Sequence, residues 1–457
     1  MTYAITGDCC SDASCVSACP MNCIHPSPGE PGFGTTDGLF IDPRTCIDCG
    51  ACAEVCPVDA AKPADQVTPA ELAANAEYFA DRPLLDGLDL DSWEPPRFDP
   101  WTGGPRRVAV VGAGPAGMYA TRELLLRSTA EVTVYDRLPL VGGLARYGVA
   151  PDHPSTKRIV ATFERVIAHP RVRWRPGVEV TELGTSYDAV VHAVGSYRSR
   201  LLGIPGEDGE RSCTAAEVVA WYNGRPGGER LPVPLAGPRA VIVGNGNVAL
   251  DLARLLVSDE RRLAGIELPA AVRETLAEST IREIVLVGRR GPDAAAYTVS
   301  ALRDLLGLEG VEVVVDADGR HDPLPESLRR ERLDLATPPR PGRRVVLRFG
   351  TTPTAWDPAV GLATSSGVIE AGNLFTAIGF AGSPVHGLPF DEERGIVPNV
   401  GGAVLGRPGQ YVTGWIKRGA RGGIGANKAC AEETVRTLLN ASTGALAGGP
   451  EVSAALL

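Results

Sequence analysis

Beyond residue 56 the chain is almost empty of cysteine: only Cys213 and Cys430 follow, although the sequence holds eleven. Disulfide-stapled secreted domains are small and spread their bridges along the chain, so this distribution excludes that class. No cysteine lies between Ala116 and Arg200, which argues against a dithiol–disulfide reductase. No run approaches the roughly 18 consecutive apolar residues that span a bilayer. Residues 1–20 hold four cysteines and two aspartates, not a basic segment followed by an apolar one. These absences predict a soluble protein of a reducing compartment, most simply the cytoplasm. Solenoid repeats and low-complexity tracts are absent too. The 457 residues, 44% of them hydrophobic, suffice for roughly three domains.

The net charge of −10 is unevenly divided. Residues 1–100 carry 17 acidic and 4 basic side chains, whereas residues 101–457 carry 38 acidic and 41 basic ones. That contrast suits electrostatic docking of an acidic head on the body. It suits equally a solvated acidic face followed by an acidic linker.

What the head does contain is nine cysteines in an ordered pattern. Cys46-Ile-Asp-Cys49-Gly-Ala-Cys52-Ala-Glu-Val-Cys56-Pro57 reads C-x2-C-x2-C-x3-C-P, and Cys15-x3-Cys19-Pro20 repeats its second half. Short loops of this kind turn successive thiolates toward one iron–sulfur cubane, while the cysteine before proline serves a second cluster. Two interleaved sets of this form favour clusters over zinc. Leu39-Phe-Ile41 reads as a short strand entering the second loop. Thr68-Pro69-Ala70-Glu71 is a capping box with proline at the first helical position, predicting a helix to about Ala80. Residues from Arg82 to Pro105 read as a linker, with Trp93 and Trp101 pinning parts of it to a surface.

Regular α/β texture starts at Arg107. The strand Val108–Val111 leads into Gly112-Ala-Gly114-Pro-Ala116-Gly117, a helix to about Arg127 and a strand 131–135 that ends before Asp136. Here the glycines admit a pyrophosphate to the helix N-terminus, and Asp136 is placed to accept from a ribose. A second unit runs from strand Ala240–Val243 through Gly244-Asn245-Gly246-Asn247-Val248-Ala249 to a helix ending near Val257. Its reading strand, 283–287, ends in Arg289-Arg290 rather than an acid. Two guanidinium groups there match a 2′-phosphate, marking NADP(H) over NAD(H). Alternating units of this kind build parallel sheets covered by helices.

Three longer segments carry a resemblance: Leu144-Ala-Arg-Tyr-Gly-Val-Ala-Pro-Asp-His153, Gly414-Trp415-Ile-Lys-Arg418 and Gly422-Gly423-Ile424-Gly-Ala-Asn-Lys428. With the two glycine motifs they resemble the adrenodoxin-reductase-like branch of the ferredoxin–NADP reductases over residues 106–440. With the cysteine head, the whole chain is similar to actinobacterial fusion enzymes that join a seven-iron ferredoxin to such a reductase. The implied fold is a pair of Rossmann-like FAD and NADP domains preceded by a small α+β bacterial-type ferredoxin domain. The implied boundaries are 1–65 for the ferredoxin, 66–104 for a helix and linker, 105–198 with 372–457 for FAD, and 199–371 for NADP.

The same resemblance implies that FAD lies against Gly112, Gly114, Ala116 and Gly117, with Asp136 on its ribose and Leu144 and Val180 lining its path. Trp415, Gly422, Gly423 and Ile424 would cover the isoalloxazine. NADP would meet Asn245, Gly246, Asn247 and Val248 at its pyrophosphate, Arg289 and Arg290 at its phosphate, and Arg200 between domains. The family commonly has a glutamate where this chain has Ala301, so one nucleotide contact is missing or supplied elsewhere. His153 resembles a histidine near the flavin, where it would orient groups or buffer a proton. A packing histidine is the plainer reading.

Cys9, Cys15 and Cys56 suit a [3Fe-4S] cluster, and Cys19, Cys46, Cys49 and Cys52 a [4Fe-4S] cluster, leaving Cys23 over. The start Thr2-Tyr3-Ala-Ile5 aligns Cys9 with the seven-iron pattern. If Cys10 completes the set, a second [4Fe-4S] cluster becomes available. The implied activity is ferredoxin–NADP(+) reductase: hydride from NADPH to FAD, then single electrons to the clusters and to a ferredoxin or other one-electron acceptor. Neither nucleic acid nor membrane is expected as a partner. Rival readings are an electron-input subunit, like the small subunit of glutamate synthase, and a redox sensor.

Overall fold

The computed structural model describes residues 2–19, 21–28, 30–33, 35–36, 38–82, 107–183, 186–316 and 329–441. Most of the expected linker, with Trp93 and Trp101, lies outside the described residues. The chain divides into two compact units. One takes residues 1–146, 155–196 and 381–457; the other takes residues 147–154 and 197–380. Among the described residues no helix is long and apolar enough to cross a membrane.

In the first unit, seven strands lie in the order 399–400, 403–404, 410–412, 189–192, 107–111, 131–135, 172–175. The five from Gln410–Val412 to Val172–Arg175 are parallel. A central parallel strand must be apolar on both faces. Val108, Ala109, Val110 and Val111 are accordingly all buried. Helices Pro115–Arg127 and Ile424–Ala441 pack against each other, and Tyr119 meets Phe163 of helix Ile159–Ile167 edge-on.

The cysteine module belongs to the same unit. Strand Tyr3–Ile5 pairs antiparallel with Ala61–Pro63, and Ile24–His25 with Phe40–Ile41. Two five-residue helices, Ser14–Ala18 and Ala51–Val55, each end at an extended cysteine, Cys19 and Cys56. The expected helix runs over Pro69–Tyr78, and both halves of its capping box form. This helix is tied into the module by one buried side chain. The Asn75 Oδ1 accepts from the amides of Ile5 at 3.2 Å and Ile41 at 3.0 Å, and its Nδ2 donates to the Ile5 carbonyl at 2.9 Å.

The second unit holds a wholly parallel seven-stranded sheet in the order 212–214, 373–376, 239–243, 283–287, 343–348, 311–316, 329–331. Arg239 and Glu283 at the strand starts, and Arg344 beside them, are buried and ion-paired. A three-stranded antiparallel sheet over Pro353–Ile369 completes it.

Replacing Asn75 by leucine keeps the volume but strands the Ile5 and Ile41 amides inside the module. Each unsatisfied buried group costs about 1–3 kcal/mol. Native-state hydrogen exchange at those two amides should show the opening free energy reduced by about 2–4 kcal/mol. Unchanged protection would show that the helix is not part of the module's cooperative core.

Candidate functional site

The first glycine turn is held by a close backbone approach. Gly112 has φ +107°, and a Cβ placed on it would overlap the Ala193 carbonyl oxygen. The next helix starts at Pro115 behind Gly114 with no side-chain cap, so its first N–H groups are left to an anion. Asp136 sits at this turn: its Oδ2 accepts from the Ala113 amide at 2.6 Å and its Oδ1 from the Leu138 amide at 2.7 Å. Gly142 donates to the Ala113 carbonyl at 2.8 Å, which brings Gly143 and Leu144 beside Gly114. Val180 packs against Val111 and Val190.

The far wall is pinned by the last helix. Ala116 abuts Gly414, whose amide donates to the Cys430 Sγ at 3.2 Å. Trp415 Nε1 donates to the Gly422 carbonyl at 3.1 Å, and Asn427 Nδ2 donates to the Gly423 carbonyl at 3.0 Å. Of the residues expected to meet FAD, Ala116, Trp415, Gly422 and Gly423 are thus linked through Gly414 and Asn427. Asn427 and Cys430 were not singled out from the sequence, although both lie one or two turns after the Gly-Gly-Ile segment.

The second unit repeats the device. Gly244 has φ +130°, and a Cβ on it would overlap the Ala377 carbonyl oxygen. Helix Asn247–Leu256 also starts without a side-chain cap. Asn247 Oδ1 accepts from the Thr298 amide at 2.8 Å, and Gly246 bridges Ala296. Arg289 and Arg290 follow the strand end and are exposed, where a phosphate can reach them. Arg200 is exposed too, its amide donating to the Gly379 carbonyl at 3.0 Å. Val248 packs on the apolar core. Ala301 is buried in that core, so it offers no polar contact to a nucleotide.

His153 belongs to this second unit. Its Nε2 lies 2.6 Å from the Arg254 Nη2. A guanidinium only donates, so in this contact Nε2 can only accept. Arg254, 1% exposed, also pairs with Asp152 at 3.0 Å and Asp251 at 2.9 Å. Burial works to raise the Asp152 carboxyl, but the hydrogen bonds from Arg254 prevail and hold it below its usual range. For Asp251 burial prevails and raises it. This network escaped the sequence reading, though Asp251 and Arg254 share a helix face three residues apart.

In the cysteine module, Cys19, Cys46, Cys49 and Cys52 line one pocket, together with Cys23. Cys56 lies close enough to Cys9 and Cys15 to disfavour their ionisation, and Cys9 does the same to Cys15. Burial, foremost, pushes the thiols of Cys9, Cys10 and Cys15 up, so these thiolates need a cationic core to form. Backbone amides already point at two of the sulfurs: Ser11 N donates to the Cys9 Sγ at 3.3 Å and Ala60 N to the Cys56 Sγ at 3.2 Å. Among the described residues no three His, Cys, Asp or Glu side chains converge on a single ion. Cluster ligands bind different irons and stand around the core instead. The residues fit iron–sulfur clusters.

The backbone also relates the two halves. Left-handed residues recur at one interval, Ser11 with Asp48, Ala13 with Gly50 and Asn22 with Asp59. That interval carries Cys9 onto Cys46, Cys15 onto Cys52, Cys19 onto Cys56, and Asp12 onto Cys49. Cys10 falls opposite Ile47. The middle cysteine is therefore replaced in place by Asp12, a residue the sequence reading passed over. Laying the two C-x3-C-P halves over each other would have found it.

These features define a two-nucleotide oxidoreductase body joined to an iron–sulfur carrier. The pyridine nucleotide-disulphide oxidoreductase family matches residues 106–286, and the 4Fe-4S dicluster domain matches residues 8–60. The chain is 41% identical to the Mycobacterium tuberculosis protein named "Probable ferredoxin/ferredoxin–NADP reductase", over 96% of this chain and 84% of that one. It is 40% identical to the NADPH-ferredoxin reductase FprA of the same organism, over 75% of this chain and 86% of that one. The solved structure of M. tuberculosis FprA in complex with NADPH superposes with a TM-score of 0.66 at 38% identity, covering 76% of this chain and 87% of that one. The chain belongs to the ferredoxin/ferredoxin–NADP reductase family.

Removing Arg254 would leave Asp152 and Asp251 facing each other with only the half-buried Arg262, 3.1 Å from Asp152, and His153, 3.9 Å from Asp251, beside them. Breaking a buried pair in this way costs about 3–5 kcal/mol. Urea unfolding of Arg254→Met should show a loss of that size in the second unit. A loss under about 1 kcal/mol would mean that water screens the network.

Proposed function

We propose that the chain is an NADPH:ferredoxin oxidoreductase that serves its own clusters and, through them, a ferredoxin-type or other one-electron acceptor. The observation that supports this reading is the presence, in one compact unit, of a tight glycine turn opening an uncapped helix and a module with two sets of cluster-spaced thiols. The flavin, when bound, accepts a hydride and releases electrons singly, the conversion that a nicotinamide and an iron–sulfur cluster need between them.

The residues divide the work. Gly112, Gly114, Ala116 and Gly117 receive the FAD pyrophosphate, and Asp136 receives its ribose. Leu144 and Val180 line the path; Trp415, Gly422, Gly423 and Ile424 cover the ring system. Asn245, Gly246, Asn247 and Val248 hold the NADPH pyrophosphate, Arg289 and Arg290 reach its 2′-phosphate, and Arg200 is a further contact to the nucleotide. His153 acts through orientation, since its Nε2 is engaged by Arg254. Cys9, Cys15 and Cys56 hold a [3Fe-4S] cluster, and Cys19, Cys46, Cys49 and Cys52 a [4Fe-4S] cluster. The recurrence of left-handed backbone positions supports Cys9 over Cys10, and Asp12 in the place of Cys49 supports the three-iron reading.

Neutral residues at both Arg289 and Arg290 should raise the NADPH Michaelis constant at least tenfold, about 1.4 kcal/mol per decade. Turnover with NADH should change little. Equal losses with both nucleotides would remove the 2′-phosphate assignment.

Anaerobically prepared protein should contain about seven irons and show, as isolated, the signal of an oxidised three-iron centre near g of about 2. About eight irons with a silent spectrum would assign Cys10 or Asp12 to a second cubane.

A further inference from the structure

The two clusters are not equivalent in their surroundings, and the contacts of the cysteine module order them. The loop from Cys9 to Cys15 joins two proposed ligands of one cluster, and its backbone is held against the nucleotide-binding body, where Arg158 also meets Asp59, three residues after Cys56, at 3.2 Å. Gly425 donates its amide to the Cys10 carbonyl at 2.8 Å. Lys428 Nζ donates to the Asp12 carbonyl at 2.7 Å, and Thr156 Oγ1 donates to the Asp8 carbonyl at 3.2 Å. The fit is tight enough that a Cβ on Gly425 would overlap the Ser11 carbonyl oxygen. Cys10, Ala13 and Val16 share a buried apolar cluster with Tyr119, and Ile424 packs at its edge.

The partners of this loop lie where the flavin cradle is built. Gly425 and Lys428 occupy the first turns of the helix that begins at Ile424, directly after Gly422 and Gly423. Tyr119 lies in the second turn of the helix that begins behind Gly114. The other cysteine loop is open along residues 47–49 although Cys52 behind it is buried: Cys49 is exposed, Ile47 is 57% exposed and Val55 in the next helix 43% exposed. Resting on the reductase reading above, we propose that the Cys9/Cys15/Cys56 cluster is the inner one, receiving electrons from the flavin, and that the Cys19/Cys46/Cys49/Cys52 cluster is the outer one, delivering them to the external acceptor. Each NADPH gives two electrons and one proton as a hydride. Two one-electron steps then reoxidise the flavin, each reducing the inner cluster by one electron. The outer cluster takes that electron and passes it to the acceptor, and the proton goes to solvent.

Freeze-quench EPR of the full chain after anaerobic mixing with NADPH tests the order, with dithionite as the control for reducibility. In Cys49→Ser, NADPH should still quench the oxidised inner-cluster signal at the wild-type rate. In Cys15→Ser, the outer cluster should remain reducible by dithionite but be reduced by NADPH at least tenfold more slowly. The reverse pattern overturns the order. Where Cys15→Ser loses both clusters, Gly425→Val decides: amide exchange over residues 10–13 should rise, and cluster reduction relative to ferricyanide reduction should fall at least tenfold. An unchanged ratio or unchanged exchange overturns the proposal. Wild-type protein that reduces ferricyanide with NADPH but shows the reverse order refutes this inference alone. A chain that cannot reduce ferricyanide refutes the reductase reading itself.

Discussion

Each nucleotide loop depends on one contact between two backbones. In both units the chain leaves a central strand and turns at a glycine of positive φ that presses against a carbonyl just past the neighbouring strand, Ala193 beside Gly112 and Ala377 beside Gly244. A side chain at either position would collide with that carbonyl, and the left-handed conformation would be strained as well. The turn in turn fixes where the following helix starts. Because neither helix has a side-chain cap, its first amides keep their capacity for phosphate. Binding capacity and fold therefore share one steric requirement, met twice in one chain.

The cysteine module meets a different requirement. It is too small to bury much apolar surface, and burial of Cys9, Cys10 and Cys15 disfavours the ionised form of these thiols that iron needs. Metal binding and folding are thereby coupled. What fixes the module without metal is backbone satisfaction: Asn75 closes the amides of two strands from a helix far along the chain, and the loop between Cys9 and Cys15 rests its carbonyls on donors of the body.

Much of this was legible because it is local. The glycine spacings, the acid after strand 131–135 and the Thr68 capping box each lie within a few residues of the structure they cause. The strands at 107–111, 131–135, 239–243 and 283–287 follow from unbroken apolar runs, which only a sheet covered on both faces accepts. Asn75, Asn427, Cys430 and Arg254 were not legible, since their partners are fixed by packing between distant segments. Asp12 is intermediate. Its equivalence to Cys49 is present in the spacing, yet it shows only once the backbone conformations of the two halves are compared. The grouping of residues 147–154 with the second unit likewise follows from the buried pair between Asp152 and Arg254, which no periodicity announces.

On the proposed reading, nicotinamide, flavin and clusters form one conducting series within a single chain. Anaerobic stopped-flow absorbance of the wild-type holoprotein mixed with one equivalent of NADPH tests it most directly. The account predicts flavin bleaching first, followed by cluster bleaching in the same molecules at a rate independent of protein concentration. Flavin that bleaches while dithionite-reducible clusters stay oxidised, or cluster reduction that scales with protein concentration, would contradict it.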